Sequence, residues 1–553
     1  MNKKLLVALG LALTLLGFPC LGISQDNLPT LPGVRLWGNF NLDSQYYVPD
    51  PAIGADTVRH KFGMNAFSNI NFSYKNFSAG IRLESYNKRL EGYPNYDGTA
   101  IPFRFVYYGQ ENLEVTLGNY YEQFGGGLIL RSYVDHGLGL DNAMDGVRLV
   151  FRPKRGITMK GLIGNQRNLM TTGPGLVRGI DTEVNFSDLF ASLSKNKIMF
   201  GASLVSKYQD GRFDPVYNLP ENVAAIAGRL NYSRGAFNMF SEFAYKINDP
   251  SADNNFIYKP GHALVVSASY SMTGFGLLAS VKRIDNMSFR SDRNATENAL
   301  TINYLPPTTK QHVYSLSAMY PYATQPNGEV GLMVEANVKL PRNSFFAGPL
   351  GATLVVNYSI AKSIEKTPAG NNTTPHQPGT LGYTSSFFKV GDVLHFQDIN
   401  MEYSRRFNRS LRGLVSYAYI TYNPLVVEGY DKPLVRAHVA IADFTHRLPN
   451  GKSLRWELQH LATKQDKGNW AMAALEYSIA PSWSFSAINQ FNYGNPDNGA
   501  RNHYHTAAIR YSKNANRISI SYGRQREGII CVGGVCRRVP ASSGLMVSIA
   551  SSF

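Results

Sequence analysis

Two stretches of this sequence hold residues whose types and spacing could do chemistry. The first is Cys531-Val-Gly-Gly-Val-Cys536. The chain has 3 Cys, and Cys20 falls in what reads as a cleaved leader, so one pair remains in the mature protein. In an oxidising compartment such a pair closes a small ring across a hairpin turn, with Gly533 and Gly534 free to take positive φ. A metal or redox site is the other chemistry open to two thiols. Without a neighbouring His pair, and with Val-Gly-Gly-Val between them, Cys531 and Cys536 fit neither zinc spacing nor Cys-x-x-Cys. The spacing predicts a disulfide and no metal.

The second stretch runs over 119–146. Gly125, Gly126 and Gly127 allow close backbone approach or a sharp bend. Glu122, Arg131, Asp135, His136, Asp141 and Asp145 lie around them and could converge. Two readings stand: an inward-folded segment that constricts a lumen or touches a ligand, and a salt-bridged turn that only shapes the wall. Hydrolytic chemistry finds no motif, with no Gly-x-Ser-x-Gly, His-Glu-x-x-His or phosphate loop. His438, His446, His460, His503 and His505 read as lumen or rim groups. Neither enzymatic activity nor a cofactor is expected.

The elements that must position these residues are strands. In 553 residues, 17% are charged, against about 25% in ordinary soluble domains, while 33 Tyr and 30 Phe are present, which excludes a disordered chain or a coiled coil. Met1 to Lys4, an apolar run from Leu5 to Phe18 and Gly22-Ile-Ser24 before Gln25 form the pattern of a secretory signal peptide over 1–24. Its removal takes Lys3 and Lys4 and lowers the formal net charge from +16 to +14. For an exported chain, that basicity points to anionic lipid headgroups, lipopolysaccharide phosphates or anionic solutes rather than nucleic acid, or simply to solvated loops.

No later apolar run is long enough for a transmembrane helix. Period-two alternation recurs instead. Leu332, Val334, Ala336, Val338 and Leu340 share one face, while Met333, Glu335, Asn337 and Lys339 share the other. Similar segments recur along 25–553, one of them at 312–322, separated by turn-rich pieces such as Tyr232-Ser-Arg-Gly235. The count is about 20–26 strands, each with roughly the 9–11 residues that cross a bilayer at a tilt. No linker-like tract divides them, and Leu545, Val547 and Ile549 alternate towards a terminal Phe553, the form of a strand recognised by membrane-insertion machinery. The fold expected is all-β: a single large closed antiparallel transmembrane β-barrel with no N-terminal plug domain. Closure is required because every strand N–H and C=O must be paired within hydrocarbon.

Alternation also proposes which residues point inward. Arg82, Glu84, Glu114, Glu335, Lys339, Arg436, His438, Arg455, Glu457 and Arg517 lie opposite apolar faces and are expected in the lumen. An open lumen with excess Arg would favour anions, and a closed one would pair the same residues into a filling network. Breaks in the alternation at 48–59, 87–101, 285–311, 367–389 and 494–502 read as long external loops.

Tyr121-Glu-Gln-Phe-Gly-Gly-Gly-Leu-Ile-Leu-Arg-Ser-Tyr133, Leu140-Asp-Asn-Ala-Met-Asp-Gly-Val-Arg148 and Gly528-Ile-Ile-Cys-Val-Gly-Gly-Val-Cys-Arg537 resemble those of an uncharacterised Bacteroidota outer-membrane β-barrel family, a domain of unknown function. Gln25 after the cleavage site fits the mature start common in that phylum. The resemblance implies an outer-membrane location in a Gram-negative bacterium and supplies no activity or catalytic residue. Two functions then stand. One is a passive porin-like channel or solute-binding barrel for anionic hydrophilic solutes. The other is a non-conducting accessory subunit of an outer-membrane export, uptake or assembly complex. The partners expected are outer-membrane lipid and lipopolysaccharide, the barrel-insertion machinery, other subunits of such a complex, and no nucleic acid.

Overall fold

The computed structural model describes residues 33–56, 60–94, 97–193, 195–211, 214, 216–533 and 535–553. The signal peptide read at 1–24, Cys20, Gln25 and Gly534 lie outside the described residues.

Two-residue turns set the pattern of the chain. Residues 235–236 join Asn222–Arg234 to Phe237–Lys246, and 273–274 join Gly261–Met272 to Phe275–Asp285. Gly235 at φ 57° and Gly274 at φ 83° supply the left-handed conformation that tight hairpins need. Hairpin follows hairpin into a 24-stranded antiparallel sheet in which each strand pairs with its neighbours in sequence. The first strand, Val34–Tyr47, pairs with the last, Ser542–Ser552, which closes the sheet into a barrel. At the seam Gly38 and Phe553 exchange two backbone hydrogen bonds of 3.1 Å. Gly38 has no side chain, and a Cβ there would lie 2.7 Å from the Phe553 ring.

The seam puts Val34 and Phe553 at one mouth of the barrel, called the mouth of the termini, where most connections are short. At the other mouth the strands are joined by longer pieces, including 48–61, 121–143, 286–328, 365–389 and 526–541. Gly98–Gly109 and Thr171–Asn185 are wall strands that alternation alone did not mark. The run at 312–322, read above as a strand, is a correction: it lies within 286–328 and holds a short 3-10 turn, Ser317–Met319.

The outer face is the apolar surface a membrane requires: Ile163, Ile180, Leu204, Ile226, Val281 and Ile399 are all exposed. No helix among the described residues is long and apolar enough to cross a membrane, so any crossing is by strands.

Inward residues divide into two kinds. Val177, Val205, Val223, Ala263 and Ile284 are 0% exposed, packed with Phe124, Ile129, Leu130, Met287, Phe289 and Ile302. Ala437, Val439 and Leu461 on the far side are also buried, against Leu316, Tyr320 and Tyr322. The residues doing the covering belong to 121–143 and 286–328. The chain's own connections therefore fold into the barrel and fill its lumen at the loop end. Burying a Val or Leu side chain contributes roughly 1.5–3 kcal/mol, so each contact of this kind holds the filling to the wall.

Candidate functional site in the lumen

The Gly125 to Gly127 turn lies against the inner wall. Gly125 has φ 53°, and a Cβ on it would lie 2.7 Å from Arg229 Cδ and 2.8 Å from Glu242 Oε2. The bare backbone lets the Gly126 N–H donate to Glu242 Oε2. Arg229, one strand away, donates to Asp181 at 2.9 Å, Glu183 at 2.8 Å and Ser203 at 2.8 Å. Glu122, just before the turn, receives Arg148 Nε at 2.6 Å and Lys160 Nζ at 2.9 Å. Burial alone would raise the Glu122 pKa, but Lys160 and Arg148 outweigh it and hold the carboxyl below its ordinary value.

Asp141 centres a second network. Arg82 reaches it at 2.7 Å, Arg167 spans Asp141 and Glu84, and the Tyr121 hydroxyl donates to it at 3.1 Å. Arg82 also donates to Asn69 at 2.9 Å. His136 packs on Phe67 with ring centroids 4.1 Å apart, and burial, with Arg82 nearby, pushes its pKa down. Asp135 accepts the Leu138 N–H at 3.0 Å within its own turn. Arg131 lies over the Tyr133 and Tyr304 rings at 4.4 and 4.0 Å, tying the two filling segments together.

The segment 286–328 anchors at alternate residues. Lys310 pairs with Glu402 at 3.0 Å, His312 with Asp398 at 2.8 Å, the Tyr314 hydroxyl donates to Asp443 at 3.0 Å, and the Leu316 N–H to Gln459 at 2.8 Å. The alternation visible at 312–322 is real, but it serves the inner wall and not the bilayer. Lys282 and Glu329, both 0% exposed, pair at 2.7 Å beneath this segment, and Glu329 also accepts from the Tyr322 hydroxyl and the Gln325 N–H. Both residues continue alternating rows, Glu329 that of Glu335 and Lys282 that of Ser280, but their pairing joins neighbouring strands 47 residues apart in sequence, which local alternation does not show.

The charges expected in the lumen divide as follows. Arg82, Glu84, Glu114, Glu335, Arg455 and Glu457 face inward. Arg455 joins Asp443 at 2.9 Å and also pairs with Glu457. Asn357 donates to Glu335 at 3.4 Å, and Glu114 takes Arg152 at 2.7 Å. Lys339 and Arg517 face inward at the mouth that holds the termini and are exposed.

Arg436 and His438 are corrections. They alternate with the buried Val435, Ala437 and Val439 and so stand on the outer face, where His438 meets the exposed Tyr417 hydroxyl at 2.7 Å. His460, which alternates with the buried Leu461 and Gln459, and His503 and His505, in step with the exposed Ile509, also face outward. Asp145 is a further correction. It is in step with the exposed Val147 and Leu149 and pairs with the exposed Arg104 at 3.4 Å on the outside. For Arg436, His438 and His460 the physical reason is the filling itself: Leu316 and Tyr320 pack with Ala437, Val439 and Leu461, so there the apolar row is the inward one. The six polar residues of the glycine-rich stretch therefore separate into different networks and do not meet at one point.

The last external connection holds a two-stranded hairpin, Gly528–Val532 with Val535–Val539, cross-linked by a Cys531–Cys536 disulfide. It rests on the lumen filling: Asn298 donates to the Cys536 carbonyl at 2.7 Å, and the Tyr304 hydroxyl to Gly533 O at 2.7 Å. Among the described residues no group of three or more His, Cys, Asp or Glu could hold a metal ion.

Solved structures similar to this chain include a P pilus tip assembly intermediate of PapC, PapD, PapK and PapG from E. coli, with TM-score 0.46 and 11% identity over 95% of this chain and 62% of that one. This chain thus spans less than two thirds of that relative's length. The P pilus usher PapC translocation pore gives TM-score 0.39 and 9% identity, covering 93% of this chain and 99% of that one. The outer membrane protein OpdK from Pseudomonas aeruginosa gives 0.35 and 11%, covering 94% and 99%. No curated protein matches the sequence. A family model described as a family of unknown function, DUF6029, matches residues 1–553.

Proposed function

We propose that this chain, which belongs to the DUF6029 family of unknown function, is an integral outer-membrane barrel that serves as a non-conducting accessory subunit of an export, uptake or assembly complex. The observation that carries this reading is the filled lumen. Two connections enter the barrel, bury apolar side chains on opposite walls and neutralise inward charges in pairs. A conduit would leave such charges to water. The reading includes a Bacteroidota source, insertion by barrel-assembly machinery acting on the Phe553 strand, contact with lipopolysaccharide on the outer face, and no catalysis.

A second reading, a passive channel for anionic solutes, is favoured by one specific observation: Lys339 and Arg517 stand exposed and inward at one mouth. It requires 121–143 and 286–328 to leave the lumen. Planar-bilayer recording of the purified mature protein separates the two. A silent, folded barrel is expected. Stable steps with chloride favoured over potassium would overturn the accessory reading and establish the channel.

A further inference from the structure

Below the lumen filling, towards the mouth that holds the termini, the inner wall carries a band of free cations. Lys339, Arg406, Arg412, Arg447, Arg510 and Arg517 all lie near the strand ends at that mouth and are exposed. Each is in step with a residue already placed on the inner face or with that residue's register partner. Lys339 follows Glu335, Arg406 follows Asp398 and Glu402, and Arg447 follows Asp443. Arg412 follows the buried Ser416 and Ala418, while Arg510 pairs in register with Ser519 in the Arg517 row.

Among the described residues none of the six forms an ion pair. Of the inward acids around the band, Glu402 is engaged by Lys310 at 3.0 Å and Asp443 by Arg455 at 2.9 Å, while Glu476 accepts only the Ser478 and Ser484 hydroxyls and Glu335 only Asn357, so the six cations outnumber the acids left to them. Arg406 and Arg412 are direct partners on neighbouring strands. Like charges opposite one another destabilise a sheet unless an anion lies between them.

The band runs from Glu329–Leu340 round to Asn516–Gln525, crossing ten strands. At about 4.8 Å between strands this is an arc of roughly 40 Å. A small anion could touch one or two of these side chains. An extended chain, whose side chains on one face repeat about every 7 Å, could meet them in succession. The filled loop end above makes the cavity blind, which suits a segment that enters and stays.

We propose that this mouth docks an extended acidic peptide segment of a partner protein that approaches from the side of the termini. The inference rests on the accessory-subunit reading and gives its partner a chemistry.

The test uses the full chain in detergent and a fluorescein-labelled peptide of alternating Asp and Ser, about twelve residues or roughly 40 Å long when extended. Anisotropy titration should show binding that weakens with salt, as exposed charges are screened. The Arg406→Gln/Arg412→Gln/Arg510→Gln/Arg517→Gln protein should lose at least about tenfold in affinity, one decade being about 1.4 kcal/mol. Arg436→Gln, on the outer face, should bind as the parent does. Arg406→Glu/Arg412→Glu should instead take up the matching Lys and Ser peptide, a gain that misfolding would not produce. Equal affinity in the quadruple variant would sink the proposal, as would displacement of the peptide by an equal concentration of tripolyphosphate, which would mark a small-anion site. Loss of peptide discrimination in a barrel that stays silent in bilayers removes this inference alone, whereas conductance steps remove the reading beneath it.

Discussion

Val435–Arg447 and Asn516–Gln525 are both alternating wall strands, and they turn their alternation in opposite senses. In Asn516–Gln525 the outward residues are Ile518, Ile520 and Tyr522, and the inward ones are Arg517, Ser519 and Ser521. In Val435–Arg447 the fully buried Ala437 and Val439 point inward, while Arg436 and His438 point out. The difference lies in what each inner face meets. One faces a hydrated mouth, the other faces Leu316 and Tyr320 of a segment folded in from more than a hundred residues away. Period two is a property of the strand, whereas polarity belongs to the surroundings.

The comparison breaks most sharply if a charge is placed on each inner face. Val439→Asp buries an uncompensated carboxylate and is expected to cost about 3–5 kcal/mol, releasing 286–328 to trypsin. Ser521→Asp should stay within about 0.5 kcal/mol. Equal thermal midpoints and equal cleavage for the two proteins would remove the distinction.

Breaking a buried pair comes next. Lys282→Met leaves Glu329 uncompensated at a cost of about 3 kcal/mol, and adding Glu329→Leu should restore most of it, because two matched apolar groups carry no stranded charge. Denaturant midpoints in detergent read both. A double variant no more stable than the single one would contradict the pairing.

Acid should loosen the other filling segment. His136 has its pKa lowered, so the unfolded chain binds the proton first, and stability is lost as pH falls below about 6.5 towards the folded value. Glu122 is also lowered, and its contribution, present above about 4.3, is lost as pH falls through the folded value. Both signs agree. Hydrogen exchange over 121–143, corrected for intrinsic rates, should quicken on acidification, while exchange in Asn516–Gln525 should not.

The smallest effect expected is that of Arg436→Glu. With its side chain on the outer face, it should leave lumen packing unchanged and shift the thermal midpoint by no more than about 0.5 kcal/mol of stability. A change in trypsin access to 286–328 would place Arg436 inside after all.

Much of the wall was legible in the sequence. Turn glycines such as Gly235, alternation such as that over 332–340, the closing strand before Phe553 and the Cys531 and Cys536 ring are all local features, written within a few residues of where they act. The lumen filling was not. Leu316, Tyr320 and Tyr322 look like strand residues, and nothing near them in sequence says that their partners are Ala437 and Val439. The ion pairs that hold the filling, such as Glu122 with Lys160 and Lys310 with Glu402, join residues whose neighbourhood exists only after the sheet has curved. The same long-range contact explains why Arg436 and His438 were assigned the wrong face: beside Leu316 and Tyr320 the inward row is apolar, whereas elsewhere the filling meets inward charges and pairs them, as Lys310 does Glu402.

The seam between Val34–Tyr47 and Ser542–Ser552 has a kinetic consequence. Its two sides are separated by nearly the whole chain, and bringing ends that far apart together costs about 5–6 kcal/mol in loop entropy if nothing between them is ordered. Closure must therefore come last, after the intervening hairpins have shortened the search. Until the final strand arrives, the growing sheet exposes two open edges to any passing β-strand. A chain truncated before Ser542 would keep those edges for good, and its fate should be aggregation or proteolysis instead of a smaller barrel.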